Sequence, residues 1–168
     1  VSGTIHTGGV VGFTIYGSLS NVVVSGTVTS DDNTGLVAGY NGATITSVIA
    51  EGNVIGVNNT GGLVGTNYET VKGINRGVNI IATGNKVGRV VGNNIYSVNV
   101  LSLNTVTIND LTITHSYATD GHGADITSID LLNPTTYTNI GFNFTDETRN
   151  YIWYIEDGVA KFRKGSLQ

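Results

Sequence analysis

The chain has no cysteine, no methionine and a single proline, and only 12% of its 168 residues carry charge. Without thiols there is no disulfide framework and no thiolate metal site, so stability must come from packing and hydrogen bonding. Charged residues stand at about half the usual ~25%. A formal net charge of −4 leaves no basic stripe of the kind that phosphate recognition shows, so no nucleic-acid partner is expected. No apolar run approaches the ~18 residues of a membrane span, so no membrane insertion is expected, and no signal-peptide pattern opens the chain. Disorder is also excluded, because it needs low hydrophobicity and high net charge.

Glycine is in excess, at 24 residues, about twice the usual ~7% share. The other abundant residues are Val, Ile, Leu, Thr and Asn, of which the β-branched ones suit a pleated, half-buried surface. The length fits one core of ~100–200 residues.

Glycine and valine recur with a period. The segments Gly9-Val10-Val11-Gly12, Gly35-Leu36-Val37-Ala38, Gly62-Leu63-Val64-Gly65 and Arg89-Val90-Val91-Gly92 align, with Val11, Val37, Val64 and Val91 separated by 26, 27 and 27 residues. Val28, Val54, Ile80 and Val106 recur every 26 residues, as do Val22, Val48, Ile74 and Val100. Within each unit the apolar residues alternate, which is strand periodicity. A sandwich of short strands shows similar spacing but imposes no likeness between units. In a solenoid each coil lies ~4.8 Å from the next, so equivalent positions meet their own copies. The expected fold is therefore all-β, a β-solenoid (β-helix) of about four coils of about 26 residues over residues 1–110, a rod of roughly 20 Å. The glycines of the repeated segment are expected to take positive φ at sharp turns, with Ala38 and Arg89 as departures. Val1-Ser2-Gly3-Thr4-Ile5 nearly duplicates Val24-Ser25-Gly26-Thr27-Val28. The chain thus reads as an N-terminally truncated fragment that begins midway through a coil.

The four segments resemble the GLUG motif, a glycine-hydrophobic-hydrophobic-glycine repeat of bacterial surface proteins such as large adhesins and regions of immunoglobulin A-cleaving metalloproteases. The resemblance covers about Gly8 to Val106, with its best copy at Gly62-Leu63-Val64-Gly65. It implies an extracellular or cell-surface β-helical module of a secreted or surface-attached bacterial protein, with upstream domains of the same chain as neighbours. It transfers no catalytic residue. The H-E-x-x-H zinc motif of such proteases is absent, and His6, His115 and His122 have no glutamate neighbour. The chain is therefore an accessory part if its parent is a protease.

Composition changes near Asp110. Residues 1–110 hold 9 charged and 5 aromatic side chains and residues 111–168 hold 11 and 8, so the second segment is a different kind of structure. A solenoid end exposes unpaired strand edge and needs a distinct terminal unit over it. The stretch from Tyr137 to Phe144, followed by Ile152-Trp153-Tyr154-Ile155-Glu156-Asp157-Gly158, supplies the bulk for a C-terminal cap over residues 111–168, packed on the last coil. Endings of the GLUG group with an aromatic strand and a Trp–Ile–Gly signature are similar. Glu156-Asp157-Gly158-Val159 predicts the turn of a capping hairpin between Tyr151–Ile155 and Val159–Phe162. Ser128–Leu132, ending near Pro134, predicts a short helix or a 3₁₀ turn.

Four tyrosines, Tyr16, Tyr40, Tyr68 and Tyr96, follow Val11, Val37, Val64 and Val91 of the repeated segments by three to five residues. They are candidates for a ladder that contacts a host glycan or protein, since amphipathic aromatics make good contact surfaces. The opposing reading is that they cover the turn or stack on one another. Asp120, His122 and Asp125, with Asp130 in reserve, are weak metal candidates. They offer too few ligands for calcium or zinc, so a flexible solvated loop is the expectation, with no metal and no cofactor.

A G-x-S-x-G elbow and a cysteine nucleophile are both lacking, and no catalysis is expected. One alternative is a parallel β-helix polysaccharide lyase or hydrolase using Asp31, Asp32, Glu51, Glu69, Lys72, Arg76 or Arg89, although these fall in different coil positions. A second is ice binding through Thr27-Val28-Thr29, Thr44-Ile45-Thr46, Thr105-Val106-Thr107 and Thr112-Ile113-Thr114, which do not recur at one position. The leading expectation is a non-catalytic structural or adhesive module.

Overall fold

A computed structural model describes residues 1–144 and 151–164. It is a β-solenoid. Each coil carries two short strands and one long one. The first coil holds β1 (Ile5–Gly8), β2 (Val11–Thr14) and β3 (Ser18–Thr29), and the second holds β4 (Asp32–Gly35), β5 (Ala38–Asn41) and β6 (Thr44–Gly56). The third holds β7 (Asn58–Gly61), β8 (Val64–Asn67) and β9 (Val71–Ala82), and the fourth β10 (Val87–Gly88), β11 (Val91–Asn94) and β12 (Val98–Leu103). Equivalent strands pair in parallel from coil to coil, so three sheets run along the stack. Val37, Leu63, Val64, Val71, Val90 and Val100 are fully buried between them, in one apolar cluster that follows the axis.

The register corrects four details of the periodic reading. Val11 stacks on Ala38, Ala38 on Val64 and Val64 on Val91, so the second repeated segment is Leu36-Val37-Ala38-Gly39, one residue later than expected. Ala38 is then an ordinary apolar position, and Gly39 is the closing glycine. Val28, Val54 and Ile80 do form one column, but Ile80 next pairs with Ile108 rather than Val106. The long strand of the fourth coil is broken there into β12 and β13 (Thr107–Ile108), and Val106 is buried beside the break. Finally, Val48 pairs with Gly73 and Ile49 with Ile74 after an irregularity beyond Ile45. Ser47, in the left-handed region at φ 54°, takes an extra place in the second coil that the third coil lacks, so Ile74 is turned away from the interior. The likeness of residues 1–5 to 24–28 is not a stacked equivalence either, since Ser2 bridges Thr29 and Ile5 pairs with Asp32.

Turn chemistry also differs from expectation. Positive φ belongs not to the glycines of the repeated segment but to His6, Asn33, Asn59 and Lys86, at 51°, 52°, 47° and 58°, which stack as one column. Asn tolerates this region best among non-glycine residues, and two of the four are Asn. The closing glycines are required for another reason: a Cβ on Gly39 would lie 2.3 Å from the His6 carbonyl carbon, and one on Gly65 2.5 Å from that of Asn33. Strands of neighbouring coils pass there backbone to backbone, leaving no room for a side chain.

Polar ladders fix the stacking. Asn41 Nδ2 donates to Asn67 Oδ1 at 2.9 Å, and Asn67 Nδ2 donates to Asn94 Oδ1 at 3.1 Å. The Oδ1 atoms of Asn41 and Asn67 also accept the N–H groups of Ala43 and Glu69. Each amide thus caps its own turn and ties it to the next, which satisfies groups that would be costly to bury alone.

Beyond the coils, Asn109 and Asp110, both at positive φ, turn β13 into the antiparallel β14 (Leu111–Thr112), as a two-residue hairpin loop of the primed kind requires. β15 (Ala124–Ile126) returns parallel to β12 and continues the stack. A 3₁₀ turn at Asp130–Leu132 leads to α1 (Pro134–Thr138), whose N-cap Asn133 accepts from Thr135 N with Pro134 at the first helical position. The expected hairpin is present as β16 (Tyr151–Glu156) and β17 (Val159–Lys164), turning on Asp157 and Gly158, both at positive φ.

This C-terminal unit places its aromatic bulk differently from the expected end cover. Ile126, Leu131, Tyr137, Ile140, Phe142, Trp153 and Ala160 pack on Ile49, Ile74 and Leu101, which belong to the outer face of the long sheet in the second, third and fourth coils. Trp153 Nε1 donates to Asn21 in the first coil at 2.9 Å, and Ser47 Oγ donates to the Gly141 carbonyl at 3.1 Å. The unit therefore lies along the flank. Residues 145–150 and 165–168 of the expected cap are outside the described residues.

Candidate functional site

The four tyrosines do not form one line. The register sets Phe13 opposite Tyr40, and Tyr40 stacks between Phe13 at 4.8 Å and Tyr68 at 5.2 Å, with interplanar angles of 24° and 28°. His6 closes the near side at 5.3 Å from Phe13 and 5.4 Å from Tyr40. Phe13 is 51% exposed and Tyr68 46%. Tyr16 and Tyr96 are 86% and 54% exposed, and neither has a ring neighbour among the described residues. Sequence reasoning missed Phe13 and His6 because it followed tyrosine alone and set the second segment one residue early. The signal was available, since Phe13 and Tyr40 both stand two residues past the second apolar position. In this row the ring faces cover one another, so what is offered to solvent is a strip of ring edges with two phenol hydroxyls.

The loop from Ile113 to Asp125 is held in place rather than solvated. Arg89 occupies the position of Gly62 in the fourth coil and is fully buried. Its Nε, Nη1 and Nη2 donate to the carbonyls of His122, Ile113 and Gly123 at 3.2, 2.9 and 2.8 Å, and Nη1 pairs with Asp125 Oδ1 at 2.6 Å. Asp125 Oδ2 accepts from His115 N at 3.0 Å. The Gly121 carbonyl takes the N–H groups of Val90 and Val91, the edge that would otherwise be unpaired. This loop is the end cover, and Arg89, a departure from the repeat, is what anchors it.

His115 Nε2 contacts Asp120 Oδ2, and Asp120 Oδ1 accepts from His122 N at 2.8 Å. Burial lowers the His122 pKa from 6.5; Asp120 opposes the shift, while His115 and Arg89 add to it. Asp130 is tied instead to the N–H and hydroxyl of Thr127, both at 2.7 Å. The described residues gather no group of three or more His, Cys, Asp or Glu able to hold a metal ion.

The residues considered for polysaccharide chemistry lie apart. Asp32 accepts from Asn33 N and Asn59 Nδ2. Glu51 pairs with Arg76 on the long sheet, Glu69 holds Thr70 by its N–H and hydroxyl, and Arg89 is inside the end cover. The threonine pairs do not stack either: Thr27 and Thr29 face Asn53 and Ile55, which face Asn79 and Ile81.

The class defined by these observations is a β-solenoid with a folded-back C-terminal unit. Comparison with protein-family models, with curated proteins and with solved structures finds no match.

Proposed function

We propose that this chain is a non-catalytic structural and adhesive module of a larger bacterial surface or secreted protein, a stiff segment that presents neighbouring domains and touches a host glycan or protein along its side. The observation that carries this reading is the row of Phe13, Tyr40 and Tyr68 along the stack axis, half exposed at its two outer members. Amphipathic rings held rigidly give contact area at low entropic cost. The stiffness is supported by the Asn41, Asn67 and Asn94 ladder and by the C-terminal unit bound to all four coils. The likeness of the repeated segments to the GLUG motif supports the surface setting.

The test is an array of host glycans and extracellular proteins probed with the full chain. Binding that is weakened by Tyr40→Ala and Tyr68→Ala, but not by Tyr16→Ala or Tyr96→Ala, supports the row. Turnover of any anionic polysaccharide in a panel assayed with calcium overturns the non-catalytic reading.

A further inference from the structure

A cleft of about 390 Å³ opens where the fourth coil, the end cover and the C-terminal unit meet. Asn99 and Leu101 reach it from β12, whose outward positions alternate with the buried Val98 and Val100. Ala118 and Asp125 come from the end cover, and Ile126, Asp130, Thr136, Asn139 and Ile140 from the C-terminal unit. A strand of the fourth coil and the stretch from Ala118 to Ile140 thus converge on one concavity of a size that suits a small ligand.

Its polar groups differ in availability. Asp125 is committed, with one oxygen on the Arg89 guanidinium and the other on His115 N. Asp130 uses one oxygen for Thr127 and leaves the other without a partner among the described residues; the two Thr127 donors hold its carboxyl below the ordinary 3.8, so it is an acceptor at neutral pH. The side-chain amides of Asn99 and Asn139 make no hydrogen bond to the described residues, and the Thr136 hydroxyl donates to the Asp130 carbonyl but can still accept. Between them lie the apolar side chains of Leu101, Ile126 and Ile140.

We infer that this cleft binds a neutral, hydroxyl-rich ligand of the size of a saccharide end unit. Two amides and one carboxylate oxygen match vicinal hydroxyls, which need a donor and an acceptor close together, while the aliphatic floor accepts the C–H face of a sugar ring. No lysine or arginine lines the cleft: the Arg89 guanidinium is spent on three carbonyls and Asp125, and Lys72, opposite Asn99 in the next strand, stands outside the lining, so an anion would meet the carboxylates of Asp125 and Asp130 first. A calcium ion wants six to eight oxygens, and the free carboxylate here supplies one. This inference deepens the adhesive reading by naming a ligand class, and it places the contact away from the aromatic row.

The test titrates the full chain with neutral methyl glycosides, with sialic and glucuronic acids and with calcium alone, read by ligand-observed NMR and calorimetry. At least one neutral glycoside binds. Asn99→Ala and Asn139→Ala each weaken it about tenfold, the effect of losing one well-placed hydrogen bond, while thermal melts show both variants folded. Preference for the acids, a requirement for calcium, no bound neutral glycoside, or binding indifferent to both variants overturns the assignment. Glycoside binding lost in Tyr40→Ala and Tyr68→Ala but kept in the asparagine variants would sink the cleft and leave the adhesive reading standing.

Discussion

The coils and the C-terminal unit are stabilised in opposite ways. In the coils many positions meet a similar residue along the axis, so Val, Ile and Asn columns form by repetition, and parallel backbone pairing carries through four windings despite the irregularity at Ser47. The C-terminal unit meets nothing like itself. It packs Tyr137, Phe142, Trp153 and Phe162 as edge-to-face and tilted rings 4.7 to 5.5 Å apart on a flank of Ile49, Ile74 and Leu101. The contrast shows what each arrangement is suited to. Repetition makes length at low sequence complexity, whereas a single aromatic cluster can join all windings at one stroke.

The largest test of that contrast is Trp153→Ala. Removing a fully buried indole costs about 3–5 kcal/mol, and if the unit is an addition to an independently stable stack, hydrogen exchange will rise across residues 130–144 and 151–164 while amides of β5 and β8 stay protected. Loss of protection everywhere would show that the coils need the flank. Next comes Arg89→Met, which removes the anchor of the end cover and leaves Asp125 without its cation, at a cost of about 3 kcal/mol. Proteolysis then cuts within residues 113–123 before any other segment; unchanged resistance there would contradict the anchor.

Gly65→Ala works inside the repetition. The added Cβ would stand 2.5 Å from backbone atoms of Asn33, Thr34 and Gly39, none of which is a flexible side-chain end, so two coils must part, at about 2 kcal/mol. The melt should drop for the whole stack, and an unchanged melting temperature would refute the backbone crossing. The smallest effect is on pH. His122 has a folded pKa below its ordinary 6.5 because of burial, so between those two values the unfolded chain binds a proton that the folded chain does not. Stability therefore falls as pH drops below about 6.5, and it levels off below the folded value. Melts from pH 8 to 5 should fall less in His122→Gln than in the parent; identical slopes would remove His122 as the cause.

Much of the fold was legible because repetition writes itself into sequence. The period, the strand alternation, the column of Val28, Val54 and Ile80 and the turn at Asp157-Gly158 all rest on local pattern or on likeness between units. Two of the errors share one physical origin. A bulge of one residue, as at Ser47, shifts every later partner and turns an apolar side chain from inside to outside, so Ile74 was read as core when it is the floor of the flank cluster. The same one-residue ambiguity hid the pairing of Phe13 with Tyr40, and with it half of the aromatic row. The anchoring role of Arg89 was illegible for a different reason: its partners are carbonyls of a loop 24 to 34 residues away, and carbonyls leave no mark in residue identity.

By itself the sequence determined the class of fold, the coil length and the change of character near Asp110, since these depend on the spacing of apolar residues, glycines and charges. Only the tertiary structure decided which coil face the aromatic unit covers, which loop closes the end, and that Asn99, Asp130 and Asn139 share one cleft. Such meetings are set by how distant segments fill space together, and no periodicity in the chain encodes them.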